Sequence, residues 1–134
     1  MSALDSSVVI AALTQWHEAH DAAREQAWGQ RVPVHAYLES YAVLTRLPPP
    51  RRLDVRTAHE LLSVWFPRSQ ILQPGRRGAT GFVRRMAAAD VSGGAVYDAL
   101  VALTAAEHGE ELLTRDRRAE STYRRLGVRY RLVA

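Results

Sequence analysis

The order of apolar and polar positions divides this chain into short buried strands alternating with helices. Residues 1–5 form a strand candidate that ends at Asp5, and the unbroken apolar run over residues 8–13 predicts a buried helix capped by Ser6 or Ser7. Residues 17–28 read as a second helix with Ala19, Ala22, Ala23 and Ala27 on one side, broken at Gly29. A short strand over 31–34 leads into a helix over 35–47, whose predicted core stripe is Leu38, Ala42 and Val43; Pro48, Pro49 and Pro50 stop it. Asp54 caps the next helix, where Val55, Ala58, Leu61, Leu62 and Trp65 recur at helical spacing up to the break at Pro67. Residues 69–72 are a further strand candidate. The Gly-Arg-Arg-Gly run at 75–78 is a basic loop, and residues 80–89 predict a helix with Phe82, Val83, Met86 and Ala87 inward.

The stretch 92–116 organises the rest. Gly93 and Gly94 open a helix whose continuation over 99–106 is almost wholly apolar or small, and Gly109 suits its C-terminal turn. Leu112, Leu113 and Thr114 then signal a buried strand, with Asp116 just beyond it among Arg115, Arg117 and Arg118. Residues 117–126 predict a last helix, Gly127 its cap, and 128–133 a last strand.

Strands alternating with helices predict an α/β fold around a central, mostly parallel sheet, in which ligands bind beyond the carboxyl ends of the strands. Asp5 and Asp116 fall at that edge, and Glu39 and Asp98 lie early in helices that begin there. Each carboxylate also has a plain structural reading. Asp5 is a second capping residue, Glu39 pairs with His35 one turn earlier, and Asp98 is exposed where a negative charge favours the helix dipole. Taken together, the four converge on one end of the molecule. Two carboxylates about 5 Å apart repel by roughly 3 kcal/mol at an effective dielectric of ~20, so such a cluster calls for protons or cations. Hard oxygen donors without sulfur favour magnesium or manganese, ions that assist phosphodiester hydrolysis.

Composition narrows the chemistry further. The 134 residues suit one domain, and no stretch approaches the ~20 apolar residues of a membrane span. The lack of a charged-then-apolar leader predicts a cytoplasmic location. There is no cysteine, hence no disulfide and no thiolate metal site. The net charge is +4, and all 18 basic residues are arginine. Schiff-base chemistry and lysine-based phosphate loops are thereby excluded, and planar forks suited to phosphate remain. Arg76, Arg77, Arg115, Arg117 and Arg118 are the candidate phosphate contacts, Arg115 foremost because it precedes Asp116. His17 and His20 are one turn apart, but no carboxylate stands where a zinc protease would need it, so they read as a polar face.

At these residues the chain resembles the PIN-domain family, and within it the VapC-type toxins of bacterial toxin–antitoxin pairs. The N-terminal ALDSSVVIAAL, the segment VPVHAYLESYAVLTRLP, GGAVYDALVALTAAEHG and the ending ELLTRD follow the family's motifs in order over nearly the whole chain. The resemblance implies a single PIN domain over 1–134 with a three-layer α/β/α fold and a magnesium-dependent endoribonuclease site, manganese being a substitute. Carried over by position, the catalytic carboxylates are Asp5, Glu39, Asp98 and Asp116, with Asp5, Asp98 and Asp116 as metal ligands. Ser7 and Thr114 fall where the family places hydroxyls that order the site.

It further implies structured transfer or ribosomal RNA as substrate, a homodimer, and a cognate VapB-type antitoxin whose tail lies across the toxin groove. Tyr37, Tyr41, Leu44, Trp65, Phe66 and Phe82 are the apolar residues expected to form such partner surfaces, the alternative being that they fill the core. Three other readings stand beside the toxin: a housekeeping PIN-type nuclease, a regulatory metal-binding domain, and a non-catalytic RNA-binding module. The last lacks an evident aromatic platform for single strands.

Overall fold

The computed structural model describes residues 1–76 and 78–134. Five short strands, β1 (Ser2–Leu4), β2 (Val32–Pro33), β3 (Ile71–Leu72), β4 (Glu111–Thr114) and β5 (Tyr130–Leu132), are all paired in parallel. β1, β4 and β5 form one ladder, β2 and β3 another, and a parallel bridge between Ala3 and Arg31 joins them. The resulting order is β3-β2-β1-β4-β5. Chain direction across the sheet reverses between β1 and β4, so the crevice at their carboxyl ends is a topological switch point.

Among the described residues, seven helices connect the strands: α1 (Ser6–Leu13), α2 (His20–Ala27), α3 (Val34–Arg46), α4 (Val55–Trp65), α5 (Gly78–Ala88), α6 (Ala95–Glu107) and α7 (Glu120–Leu126). They cover both faces of the sheet in a three-layer α/β/α arrangement. Because both faces are covered, Leu112 and Leu113 are both buried although they point to opposite sides. The main core joins Ala3, Leu4, Val8, Val9, Leu44, Leu62, Phe66 and Tyr123. A smaller cluster, Met86, Val91, Ala99, Leu103 and Leu126, ties α5 and α7 to α6. Gly127 closes α7 with φ of 67°, the left-handed conformation that glycine takes without steric cost.

Several expectations shift. Asp5 itself, rather than Ser6 or Ser7, caps α1, accepting from the N–H groups of Ser7 and Val8. His17 to Ala19 lie in turns, and α2 begins only at His20. In α3 the buried positions are Ala36, Ser40 and Leu44, flanked by partly buried Tyr37 and Tyr41. Leu38 is 59% exposed and Ala42 is also exposed. The predicted stripe weighed hydrophobicity alone, whereas Ser40 is accommodated because its hydroxyl donates to the Ala36 carbonyl at 2.7 Å. Val55, Val83 and Ala87 likewise point outward. Leu44, Trp65 and Phe66 are buried, and Tyr37, Tyr41 and Phe82 pack against the core clusters, so this set fills the interior. The large apolar residues left exposed are others, including Trp28, Leu38, Val64 and Tyr97.

Candidate active site

Each element at the switch point delivers one acidic group. β1 ends at Leu4, and Asp5 follows as the cap of α1, 6% exposed. Its Oδ1 accepts from the Ser7 N–H at 2.9 Å, the Val8 N–H at 3.3 Å and the Ser7 hydroxyl. Its Oδ2 accepts from the Thr114 hydroxyl at the end of β4 and from the Tyr123 hydroxyl at 3.3 Å. Burial pushes the Asp5 carboxyl above the ordinary range, and this ring of donors opposes that rise.

The Ser7 and Thr114 hydroxyls extend the network. Ser7 Oγ accepts from the Arg115 N–H at 2.8 Å, and Thr114 Oγ1 accepts from the Asp116 N–H at 3.0 Å. The turn after β4 is thereby locked to the start of α1, holding Asp116 beside Asp5. Glu39, on the second turn of α3, accepts from the Ser6 hydroxyl. His35 stacks on Tyr97 with ring centroids 5.2 Å apart and does not pair with Glu39. Asp98, in the first turn of α6, completes the set.

The four carboxylates line one cleft of about 160 Å³, together with Ser6, Ser7, His35, Tyr97, Val101 and Tyr123. Asp98 shows the electrostatic consequence. Partial desolvation, and then the charges of Asp116, Asp5 and Glu39, push its carboxyl up to about 6. Among the described residues the cation opposing this is Arg118, whose side chain is almost fully exposed and whose Nε lies 3.7 Å from Asp116 Oδ1. Burial, followed by Asp5, likewise raises the Tyr123 phenol far above its usual value, keeping it a neutral donor.

The cleft is thus rich in hard oxygen donors and short of positive charge, a donor set that fits a divalent cation. Among the described residues no three acidic or histidine side chains close into a ready-made cage. The carboxylates line the walls of an open cleft instead. That suits a hydrated divalent ion that takes one or two carboxylates together with phosphate oxygens.

Of the other predicted residues, Arg115, Arg117 and Arg118 follow β4 directly, and Arg117 and Arg118 are exposed. Arg76 precedes α5 in a loop where Gln73 accepts from or donates to nothing in the cleft: its carbonyl meets His108 Nε2 at 2.9 Å, just past the far end of α6. Asp98 and Glu107 are separated along α6 by roughly 14 Å at 1.5 Å per residue, so Arg76 stands at the opposite end of that helix from the acidic cleft. Arg77 lies outside the described residues. His17 and His20 do not form a metal pair: His20 Nδ1 contacts the Ala11 carbonyl at 3.0 Å and His17 Nδ1 accepts from the Ala19 N–H. Tyr123 and Tyr97 were not among the predicted site residues. Tyr123 shares a helix face with Ala119 and Leu126, and a hydroxyl on such a buried stripe was its available signal.

Comparison with known proteins places this geometry. Residues 3–125 match the PIN domain family. Ribonuclease VapC40 of Mycobacterium tuberculosis is 45% identical over 134 residues, covering 99% of both chains. Ribonuclease VapC27 of the same species is 46% identical over 129 residues, covering 94% of this chain and 92% of its own. In fold, the chain is similar to VapBC2 of Rickettsia felis, solved with a promoter DNA fragment, with a TM-score of 0.68 at 11% identity over 99% of this chain and 98% of that one. It is also similar to FitAB bound to a DNA fragment, with a TM-score of 0.66 at 17% identity over 98% and 94%. The chain belongs to the PIN domain family, among relatives of the VapC type.

Proposed function

We propose that this protein, as a single PIN domain over 1–134, is a VapC-type ribonuclease toxin that hydrolyses RNA phosphodiester bonds at the four-carboxylate cleft. The observation that carries the reading is the convergence of Asp5, Glu39, Asp98 and Asp116 on one cleft whose negative charge is left largely uncompensated. The identity to two VapC ribonucleases over nearly their full length supports the activity.

Asp5, Asp98 and Asp116 would hold a divalent ion, magnesium with manganese as a substitute. When bound, the ion polarises a phosphoryl oxygen and lowers the pKa of water. The protein's own contribution is placement. Ser7, Thr114 and Tyr123 hold Asp5 in one orientation, and the Thr114 hydroxyl sets Asp116. Glu39, fixed by Ser6 and lining the same cleft, would accept a proton from the attacking water. Arg115, Arg117 and Arg118 are the cationic side chains nearest the acids in sequence, suited to RNA phosphates on approach.

A VapB-type antitoxin is the partner this reading implies, and the two solved structures of similar fold are those of a VapBC protein and FitAB. Its tail would cover Tyr97 at the cleft and Leu38 beside Glu39, both large apolar residues left exposed. A homodimer and structured transfer or ribosomal RNA complete the proposal. The test is sequencing of RNA 5′ ends after brief expression in cells. Discrete new ends with the wild-type chain, absent with Asp98→Asn and absent when the antitoxin is co-expressed, are the expected result. Identical end profiles for wild type and Asp98→Asn would refute the reading.

A further inference from the structure

Beside the acidic cleft lies a second group of residues that the hydrolytic step does not use. The Arg115 backbone is pinned to Ser7 Oγ, which places its side chain one residue from Asp116. Its Nη1 lies 3.4 Å from His17 Nε2, and its Nε is buried without a hydrogen-bond partner. Among the described residues no carboxylate pairs with this guanidinium.

The His17 ring adds to the mismatch. The Ala19 N–H donates to its Nδ1 at 3.1 Å, so a neutral imidazole carries its proton on Nε2. Burial, and then the neighbouring Arg115 charge, depress the His17 pKa, with the Glu18 carboxylate opposing them. Nε2–H and Nη1–H are therefore two donors facing one another with no acceptor between them. In this group the Arg115 Nε is the donor that is buried without an acceptor, a costly arrangement that an acceptor from outside would relieve.

Outward from this pair lie a further cation, Arg51, and an acidic residue, Glu18. Trp16, 42% exposed, has its ring 5.7 Å from that of His17, and the Arg51 guanidinium sits over the Trp16 ring at 4.3 Å from its centroid. Trp16, His17, Glu18 and Arg51 surround one shallow depression of about 260 Å³. The cation–π contact holds Arg51 in place on the surface, so less freedom is lost when it meets an anion.

We propose that Arg115 and His17, with Arg51 at the rim, form a subsite for a phosphate of the RNA strand flanking the scissile bond. The proposal rests on the ribonuclease reading of the adjoining cleft. Arg115 supplies charge and donors, His17 a neutral N–H, and Arg51 a second charge further along the strand. The strand thus leaves the negative cleft across a donor-lined step, which fixes its direction at the site.

The test uses the full chain carrying Asp98→Asn, so that RNA is bound without turnover, and a fluorescein-labelled single-stranded oligoribonucleotide titrated by anisotropy at several salt concentrations. Arg115→Gln should weaken binding about tenfold at 100 mM salt and lower the log–log salt slope by about 0.7, the value for one phosphate contact on a single strand. Arg51→Gln should lower the slope similarly with a smaller loss; its exposed side chain makes it the variant whose folding is least at risk. His17→Ala should weaken binding about threefold with the slope unchanged, because a neutral donor releases no counterion, and His17→Gln should recover part of the loss. Affinities and slopes equal to the parent in all folded variants would overturn the subsite. So would loss confined to an antitoxin peptide with RNA binding intact, since the group would then serve a protein partner. If the wild type fails to cleave RNA while these binding losses appear, the ribonuclease reading falls alone. If it cleaves and the variants bind as the parent does, the subsite falls alone.

Discussion

Asp98→Asn should make the metal-free protein more stable, by an amount that grows with pH. The replacement keeps the shape of the side chain and removes a charge from among three other carboxylates. Folding raises the Asp98 carboxyl from 3.8 to about 6. Between those values the folded state binds more protons than the unfolded state, so stability falls as pH rises through this window. A shift of about two units corresponds to roughly 3 kcal/mol for a fully buried group. Asp98 is only half-buried, and solvent screening reduces this to about 1–2 kcal/mol. For a chain of this length that is roughly 3–7 °C in melting temperature.

The assay is thermal unfolding of wild type and Asp98→Asn in EDTA from pH 3.5 to 8. The two should approach one another near pH 3.5, where Asp98 is mostly protonated in both states, and separate in favour of the variant above pH 6. Magnesium should then raise the wild-type midpoint and leave the variant nearly unchanged, because a ligand of the folded state stabilises by mass action. A variant less stable than wild type at pH 7.5, or a difference constant across the pH range, would refute the reasoning.

Asp5→Asn should have the opposite sign although it removes the same charge: the Thr114 and Tyr123 hydroxyls and the Ser7 donors cannot all find acceptors on an amide, a loss of about 1–3 kcal/mol visible in chemical denaturation. Thr114→Val removes both a donor to Asp5 and the acceptor of the Asp116 N–H, so a destabilisation of about 1–3 kcal/mol should accompany a fall in RNA cleavage. Arg118→Ala breaks only an exposed pair with Asp116 and should change stability by less than about 0.5 kcal/mol in the same denaturation series, while lowering RNA affinity at low salt.

The acidic residues were legible because secondary-structure ends are marked by chemistry. Asp5 follows an apolar strand and precedes an apolar helix, and Asp116 follows Leu112, Leu113 and Thr114, so both could be placed at strand ends before any contact was known. Gly109 and Gly127 marked helix ends for the same reason. The orientation of helix faces was less legible. In α3, hydrophobicity favoured Leu38 and Ala42, whereas packing buries Ala36, Ser40 and Leu44, with Ser40 satisfied by its own helix backbone. The convergence of the four acids could be read from their places at strand and helix ends, but the individual hydrogen-bond partners across the chain could not. Nothing local announces that Tyr123 reaches Asp5, that Ser6 rather than His35 holds Glu39, or that His17 faces Arg115. Arg76 looked like a companion of the site by charge, but its place before α5 puts it near the other end of α6.

The most direct measurement is RNA cleavage by the purified chain, with and without magnesium, followed by end-mapping of the products. The account predicts cleavage at discrete positions with magnesium, none in EDTA, and a loss of at least about 100-fold in Asp98→Asn, which remains folded. Cleavage at the wild-type rate in EDTA, or undiminished in Asp98→Asn, would contradict it.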